Sequence, residues 1–187
     1  GRNAATPARV QVRRPAGRLR RAAGQVVNYV ENHDNQTLWD IDAWRLPPDT
    51  SSAERARVQL LAAALTMFSQ GIPYFHAGLD LLRSKSLDRN SFDSGDWFNR
   101  LDFAYQDNHF GSGLPPKQDN GGDWDAMRPL LTNPAARAAP ADIAFMRDAF
   151  RDLLRIRASS SLFRLRTAAE VQARLSFENV GPDQEPA

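Results

Sequence analysis

The stretch that decides the fold is Val26–Val27–Asn28–Tyr29–Val30–Glu31–Asn32–His33–Asp34–Asn35–Gln36–Thr37, a short β-rich run that ends in a cluster of polar residues. An apolar run of this length reads as a buried strand, and the polar cluster as groups delivered at its C-terminal end. Downstream, Pro47, Pro48 and Asp49 mark a loop, and Ser51 with Glu54 three residues later forms a capping box that opens a helix from Ala53. Val58, Leu61, Ala62, Leu65 and Phe68 fall on one face at helical spacing, and Gly71 stops the helix. Ile72–Pro73–Tyr74–Phe75–His76 follows as a second short apolar run, closed by Gly78. Strand, helix and strand within about 50 residues make a βα unit feeding a parallel strand, the repeating element of α/β barrels and doubly wound sheets. The chain holds too few such units to close either.

Residues 80–140 show little periodicity and many Asp, Asn and Gly, with aromatic-polar clusters around Trp97 and Trp124. So long a loop inside a compact domain is usually functional. A second amphipathic helix is expected over 141–158, with Ile143, Met146, Phe150, Leu153 and Leu154 inward. Leu162–Phe163–Arg164–Leu165 and Leu175–Ser176–Phe177 read as the start of a β region.

The 187 residues, 42% hydrophobic and 25% charged, suit a globular domain. No apolar run reaches the ~18 residues of a membrane helix, and the absence of Cys excludes disulfides, zinc ribbons and thiol nucleophiles. The net charge of +2 would point to nucleic acid if it were spread over the chain. It is not, because residues 1–25 hold seven Arg and no acid. Subtracting those seven from the 24 basic residues leaves 17 against 22 acidic ones, a net of −5 for the body of the chain. The arm lacks periodicity and reads as disordered. It also carries no aromatic residue to stack bases, so no nucleic-acid partner is expected, and no membrane partner either.

Two constellations are candidates for chemistry. His33–Asp34–Asn35 places an imidazole beside a carboxylate and an amide where α/β barrels build active sites. The same residues at a loop start also serve as a solvated turn or a helix cap. The segment 83–100 mixes Arg, Lys, Asp, Asn, Ser and aromatics, as sugar sites do and as a well-capped loop also does. No metal site is expected, because the three His are far apart and the Asp residues lack the spacing of a calcium loop. No phosphate-cradling glycine motif or nucleophile elbow is present.

The stretch Val27–Asn28–Tyr29–Val30–Glu31–Asn32–His33–Asp34–Asn35–Gln36–Thr37 resembles the last catalytic segment of the α-amylase superfamily, in the form used by pullulanases and limit dextrinases. Residues 82–101, LRSKSLDRNSFDSGDWFNRL, resemble the debranching-enzyme hallmark that follows the eighth barrel strand. Gly113–Leu114–Pro115–Pro116, Ser161–Leu162–Phe163–Arg164–Leu165 and Phe177–Glu178–Asn179–Val180–Gly181–Pro182 match as well. The resemblance runs from about residue 26 to the end. It implies an α/β chain, a partial (β/α)8 barrel (the last two βα units) followed by the start of an all-β sandwich domain. The boundaries expected are a disordered or out-of-frame Arg-rich arm at 1–25, barrel at 26–160 and sandwich at 161–187. A one-base shift of GC-rich codons for residues 17–24 reads Ala-Gly-Tyr-Ala-Ala-Gln-Pro-Gly, close to what relatives carry before the seventh strand, so the nucleotide sequence tests the frame.

The implied activity is retaining hydrolysis of α-1,6 branch linkages in pullulan, limit dextrins, amylopectin or glycogen, with a branched α-glucan as partner. The alternatives are a non-catalytic glucan-binding module or another superfamily member such as an isoamylase. No cofactor is implied beyond an optional structural calcium in a longer enzyme. The resemblance puts the nucleophile and general acid on upstream strands, which makes the missing N-terminal part of the same enzyme a partner. It casts Asp34 as the transition-state stabiliser and His33 as a hydrogen-bonding neighbour, with Arg89, Asn90 and Asn35 contacting sugar. Asn90 stands where relatives usually have Asp and lacks the charge. Trp97, Phe98 and Asn99 are expected to hold their loop in shape.

Overall fold

A computed structural model describes residues 26–176. The expectations for residues 1–25 and for 177–187 lie outside that span. Two short strands, β1 (Val27–Asn28) and β2 (Ile72–Pro73), pair in parallel with Val27 opposite Ile72 and Asn28 opposite Pro73. The ladder bonds are Ile72 N to the Val26 carbonyl and Tyr74 N to the Asn28 carbonyl, both 2.8 Å. The parallel pairing expected from the strand–helix–strand pattern is therefore present, but the strands are shorter than 26–30 and 72–76. Pro73 has no N–H to extend the ladder.

The strands are also not buried. Val27, Tyr29 and Ile72 are 53%, 54% and 49% exposed, which corrects the reading of 26–30 as a buried strand. A parallel strand is buried only when both faces and both edges are covered, and among the described residues β1 and β2 have only each other as ladder partners.

Helices supply most of the structure. The helix α1 (Leu38–Arg45) was not read from the sequence; its N-cap Thr37 accepts from Asp40 N. The next, α2 (Ser52–Phe68), begins with the expected Ser51/Glu54 capping box. Between residues 79 and 136 the expected loop is a series of short turns and helices. These include α3 (Asp96–Asn99), α4 (Lys117–Asn120) and α5 (Trp124–Leu131). The long α6 (Pro140–Ser159) matches the second expected helix.

At residues 161–164 the expected strand is instead a 3₁₀ turn, and α7 (Ala168–Arg174) follows with a Thr167/Glu170 capping box. Leu175 and Ser176 lie in no strand. The local reason is the capping sequence: Ser160 accepts from Leu162 N and Thr167 from Glu170 N, so side chains start helical turns where apolar content alone suggested strand.

The core lies where α2 and α6 pack against residues 79–87 and α1. Ala56 and Ala63 of α2 share one buried cluster with Ile143 and Met146 of α6, and Trp39, Leu79, Leu82, Leu87 and Met127 close it. The face expected of α2 is corrected here. Leu61 and Leu65 are 62% and 66% exposed, whereas Ala56, Gln59, Ala63, Thr66 and Met67 are buried. Small alanines let α6 approach closely, and the buried Gln59 is satisfied by donating to the Leu79 carbonyl at 2.7 Å. On α6, Ile143 and Met146 are buried and Phe150 and Leu153 partly so, but Leu154 is 46% exposed.

Candidate functional site

The polar cluster after β1 forms a tight turn that runs directly into α1. Glu31, almost fully buried, closes it by accepting from Leu38 N at 2.5 Å, seven residues on. Within the turn Asp34 N donates to Asn32 Oδ1 at 2.8 Å, and Asn35 takes the left-handed conformation at φ 59° that Asn tolerates. The turn presents His33 and Asp34 outward with side chains 79% and 69% exposed, their Nε2 and Oδ1 3.6 Å apart. An exposed imidazole and carboxylate side by side can engage vicinal hydroxyls.

Behind the turn lies a buried network of charges that the sequence reading assigned no role. Asp40, fully buried in α1, accepts from Ser84 Oγ at 2.5 Å and from Lys85 N at 2.8 Å. Burial raises its pKa, opposed by the hydrogen bonds from Ser84, Lys85 and Thr37. Lys85 is 1% exposed, and its ammonium donates to the His33 carbonyl at 3.2 Å. Burial lowers the pKa of Lys85, against the pull of Asp40. On the other side, His76 Nδ1 lies 3.7 Å from Glu31 Oε1, and Arg83 Nη1 is 3.4 Å from His76 Nε2. Arg83 Nη2 then donates to the Asn99 carbonyl at 3.2 Å. Arg83 has only donors, so in that contact His76 Nε2 is the acceptor.

The hallmark segment divides in two. Its first half, Ser84 through Asp88, is buried and builds the scaffold, with Ser86 and Leu87 at φ 52° and 68°. Asp88 accepts from Asn120 Nδ2 at 3.0 Å, Ser94 Oγ at 2.6 Å and Asn90 N at 2.9 Å. Its exposed continuation carries Arg89 and Asn90. Arg89 Nε donates to the Asp119 carbonyl at 2.8 Å, and Asn90 Nδ2 to Asp119 Oδ2 at 3.0 Å. The structure thus gathers Arg89 and Asn90 on Asp119 and His33, Asp34 and Asn35 on their turn. Lys85 and Asp88 root the two groups in one buried segment.

Trp97 Nε1 donates to the Ser112 carbonyl at 2.9 Å, and Asn99 Nδ2 to the carbonyls of Ser91 and Gly95 at 2.7 and 2.9 Å. Both side chains thus tie loop backbone together. No group of three or more His, Cys, Asp or Glu that could hold a metal ion occurs among the described residues. Arg83 and Lys85 were read only as members of the mixed segment and Glu31 only as part of the polar cluster, because nothing in local spacing shows that residues some 50 positions apart converge with Asp40.

Comparison with known proteins bears on most of the chain. Residues 105–187 match the family profile "Alpha-1,6-glucosidases, pullulanase-type, C-terminal". The chain is 50% identical to chloroplastic pullulanase 1 of Arabidopsis thaliana over 162 residues, which are 87% of the chain and 17% of that protein. To the pullulanase of Klebsiella pneumoniae it is 40% identical over 161 residues, 86% of the chain and 15% of that protein. The crystal structure of Klebsiella pneumoniae pullulanase complexed with maltotriose superposes with a TM-score of 0.83 at 39% identity, covering 88% of this chain and 16% of that one. An Anoxybacillus pullulanase complexed with maltotetraose gives a TM-score of 0.58 at 29% identity, over 88% and 19% of the two chains. The chain thus spans about a sixth of the length of the curated relatives it matches. Identity spread over nearly the whole chain, together with the shared fold, supports a fragment of a pullulanase-type enzyme, with residues 105–187 matching the C-terminal part of that family.

Proposed function

We propose that the chain serves a retaining glycoside hydrolase that cleaves α-1,6-glucosidic branch linkages in pullulan, limit dextrins, amylopectin or glycogen. In this reading it contributes the last two βα units of a (β/α)8 barrel, with β1 and β2 as neighbouring barrel strands and the start of the sandwich beyond α7. The observation that carries the reading is the outward-facing His33–Asp34 pair, held at the C-terminal end of a strand in a parallel pair.

A retaining glycosidase needs a carboxylate nucleophile and a carboxylic general acid ~5–5.5 Å apart. In this reading both lie on strands outside the chain, and Asp34 is a third acid. Its carboxylate binds sugar hydroxyls and stabilises the positive charge that develops on the ring, as His33 donates to the same sugar. A fixed charge already aimed at the reacting centre does this without reorganisation, most strongly where water is excluded. Arg89 and Asn90, set on Asp119, face a neighbouring glucose. The partners are accordingly a branched α-glucan and the rest of the enzyme.

The test is a titration of the isotope-labelled chain with maltotriose, followed by amide NMR. Shifts at 33–35 and 89–90 are expected, weakened about tenfold in Asp34→Asn, whose change replaces a charge-assisted hydrogen bond with a neutral one. Absence of any shift at the turn with saturating sugar sinks the reading. The chain alone is expected to release no reducing sugar from pullulan, and release by the purified protein would place the missing acids within it.

A further inference from the structure

We infer that Lys85 is a positioning residue, whose buried ammonium fixes the His33–Asp34–Asn35 turn through the His33 carbonyl; this rests on the reading of that turn as sugar-contacting. Among the described residues, the Lys85 bond is the long-range hydrogen bond made to residues 33–35. The turn is otherwise held from within, by Asn32, and across its ends, by Glu31 and Leu38 N. Among the described residues, the Lys85 bond is what ties the centre of the turn to the rest of the fold.

The geometry is that of a built strut. A lysine that merely lends its stem to packing sends its ammonium to water. Lys85 is 1% exposed and sends it to a backbone carbonyl 52 residues away. Its root is fixed as well, since Lys85 N and Ser84 Oγ both donate to the Asp40 carboxylate. A buried cation needs compensating charge. Asp40 and Asp88, both fully buried, and Glu31, at 6% exposure, supply it, whereas Arg83 opposes it. The same residue therefore couples α1, the hallmark segment and the turn. Asp34 can hold one orientation although its own side chain is mostly in solvent.

The chain as it stands allows a direct test. In the wild type, a scalar coupling across the hydrogen bond between the Lys85 ammonium nitrogen and the His33 carbonyl carbon is expected. An ammonium in rapid exchange with water and without that coupling overturns the inference. Lys85→Met keeps the stem and removes the donor. Backbone order parameters at 33–35 are expected to fall from about 0.85 to below about 0.6, with the remaining amides unchanged. Lys85→Arg, which restores a cationic donor, should recover much of the order, whereas loss of packing alone would not be rescued this way.

Unchanged order at 33–35 in a folded Lys85→Met chain also overturns the inference. Should that variant fail to fold because Asp40 is left uncompensated, Lys85→Met with Asp40→Asn gives the same readout, and the wild-type coupling decides independently. Maltotriose separates the two claims. A rigid, coupled turn that ignores sugar refutes the sugar reading and leaves the strut standing. Equal maltotriose affinity in the wild type and in a folded Lys85→Met chain refutes the strut, for which a rise in Kd of about tenfold is expected.

Discussion

Asp42 shows how one buried carboxyl can set the pH response of this chain. It is 5% exposed, and its Oδ2 has no hydrogen-bond partner. Burial pushes its pKa up from 3.8 to about 7, with the Arg55 guanidinium pulling the other way. A folded pKa above the unfolded one means that the folded state binds the proton more tightly. The stability this contributes is complete below about pH 4 and is lost as pH rises toward 7. Asp42→Asn removes the titration. Relative to the parent it should be near neutral at pH 4 and more stable by about 1–3 kcal/mol at pH 8, in urea unfolding. Identical differences at both pH values would show that the carboxyl does not titrate in this window. The sequence names its candidate residues one at a time; in the structure His33 and Asp34 are exposed on one turn, and Arg89 and Asn90 share Asp119 as a partner. The groups behind them were not legible, because a buried lysine and a surface lysine are the same letter.

At the scale of elements, one arginine joins the two main helices. Arg157 of α6 donates Nη1 to the carbonyls of Met67 and Ser69, the latter at 3.1 Å, and Nη2 to the Gly71 carbonyl at 3.0 Å. These carbonyls belong to the end of α2 and the chain beyond it, where backbone acceptors lack helical partners. Arg157→Ala should cost about 2–3 kcal/mol, and Arg157→Lys should recover little, since an ammonium cannot reproduce the planar fork. Urea midpoints for the two variants check this, and a loss below about 0.5 kcal/mol for alanine would contradict it. The beginning of α2 was readable because a capping box is a local signal, and α6 because its apolar residues recur at helical spacing. The buried face of α2 was not. The helix has one stripe with Leu61 and Leu65 and another with Ala56, Ala63 and Met67, and the second is the one that meets α6. The start of α1 had a signal, Thr37 with Asp40 three residues on, hidden within a cluster read only for its chemistry.

At the scale of the whole molecule, one group of exposed apolar residues lies at the paired strands. Val26, Val27, Tyr29, Val30, Ile72 and Tyr74 are each 39–54% exposed, beside strands with unpaired outer edges among the described residues. Unpaired parallel edges with apolar faces favour association. The chain should sediment as concentration-dependent oligomers, and Val27→Lys combined with Ile72→Lys should shift it toward monomer; a wild type that stays monomeric at high concentration contradicts this. The sequence by itself determined the local signals: the Ser51/Glu54 cap, the parallel strand–helix–strand unit and the family motifs, with the His33–Asp34 pair as a candidate. All depend on neighbours in the chain or on motifs long enough to be specific. Tertiary structure alone decided which stripe of α2 is core and that Lys85 reaches the His33 carbonyl from 52 residues away. Burial and long-range hydrogen bonds depend on which surfaces meet, and that is a property of the packed chain rather than of any stretch within it.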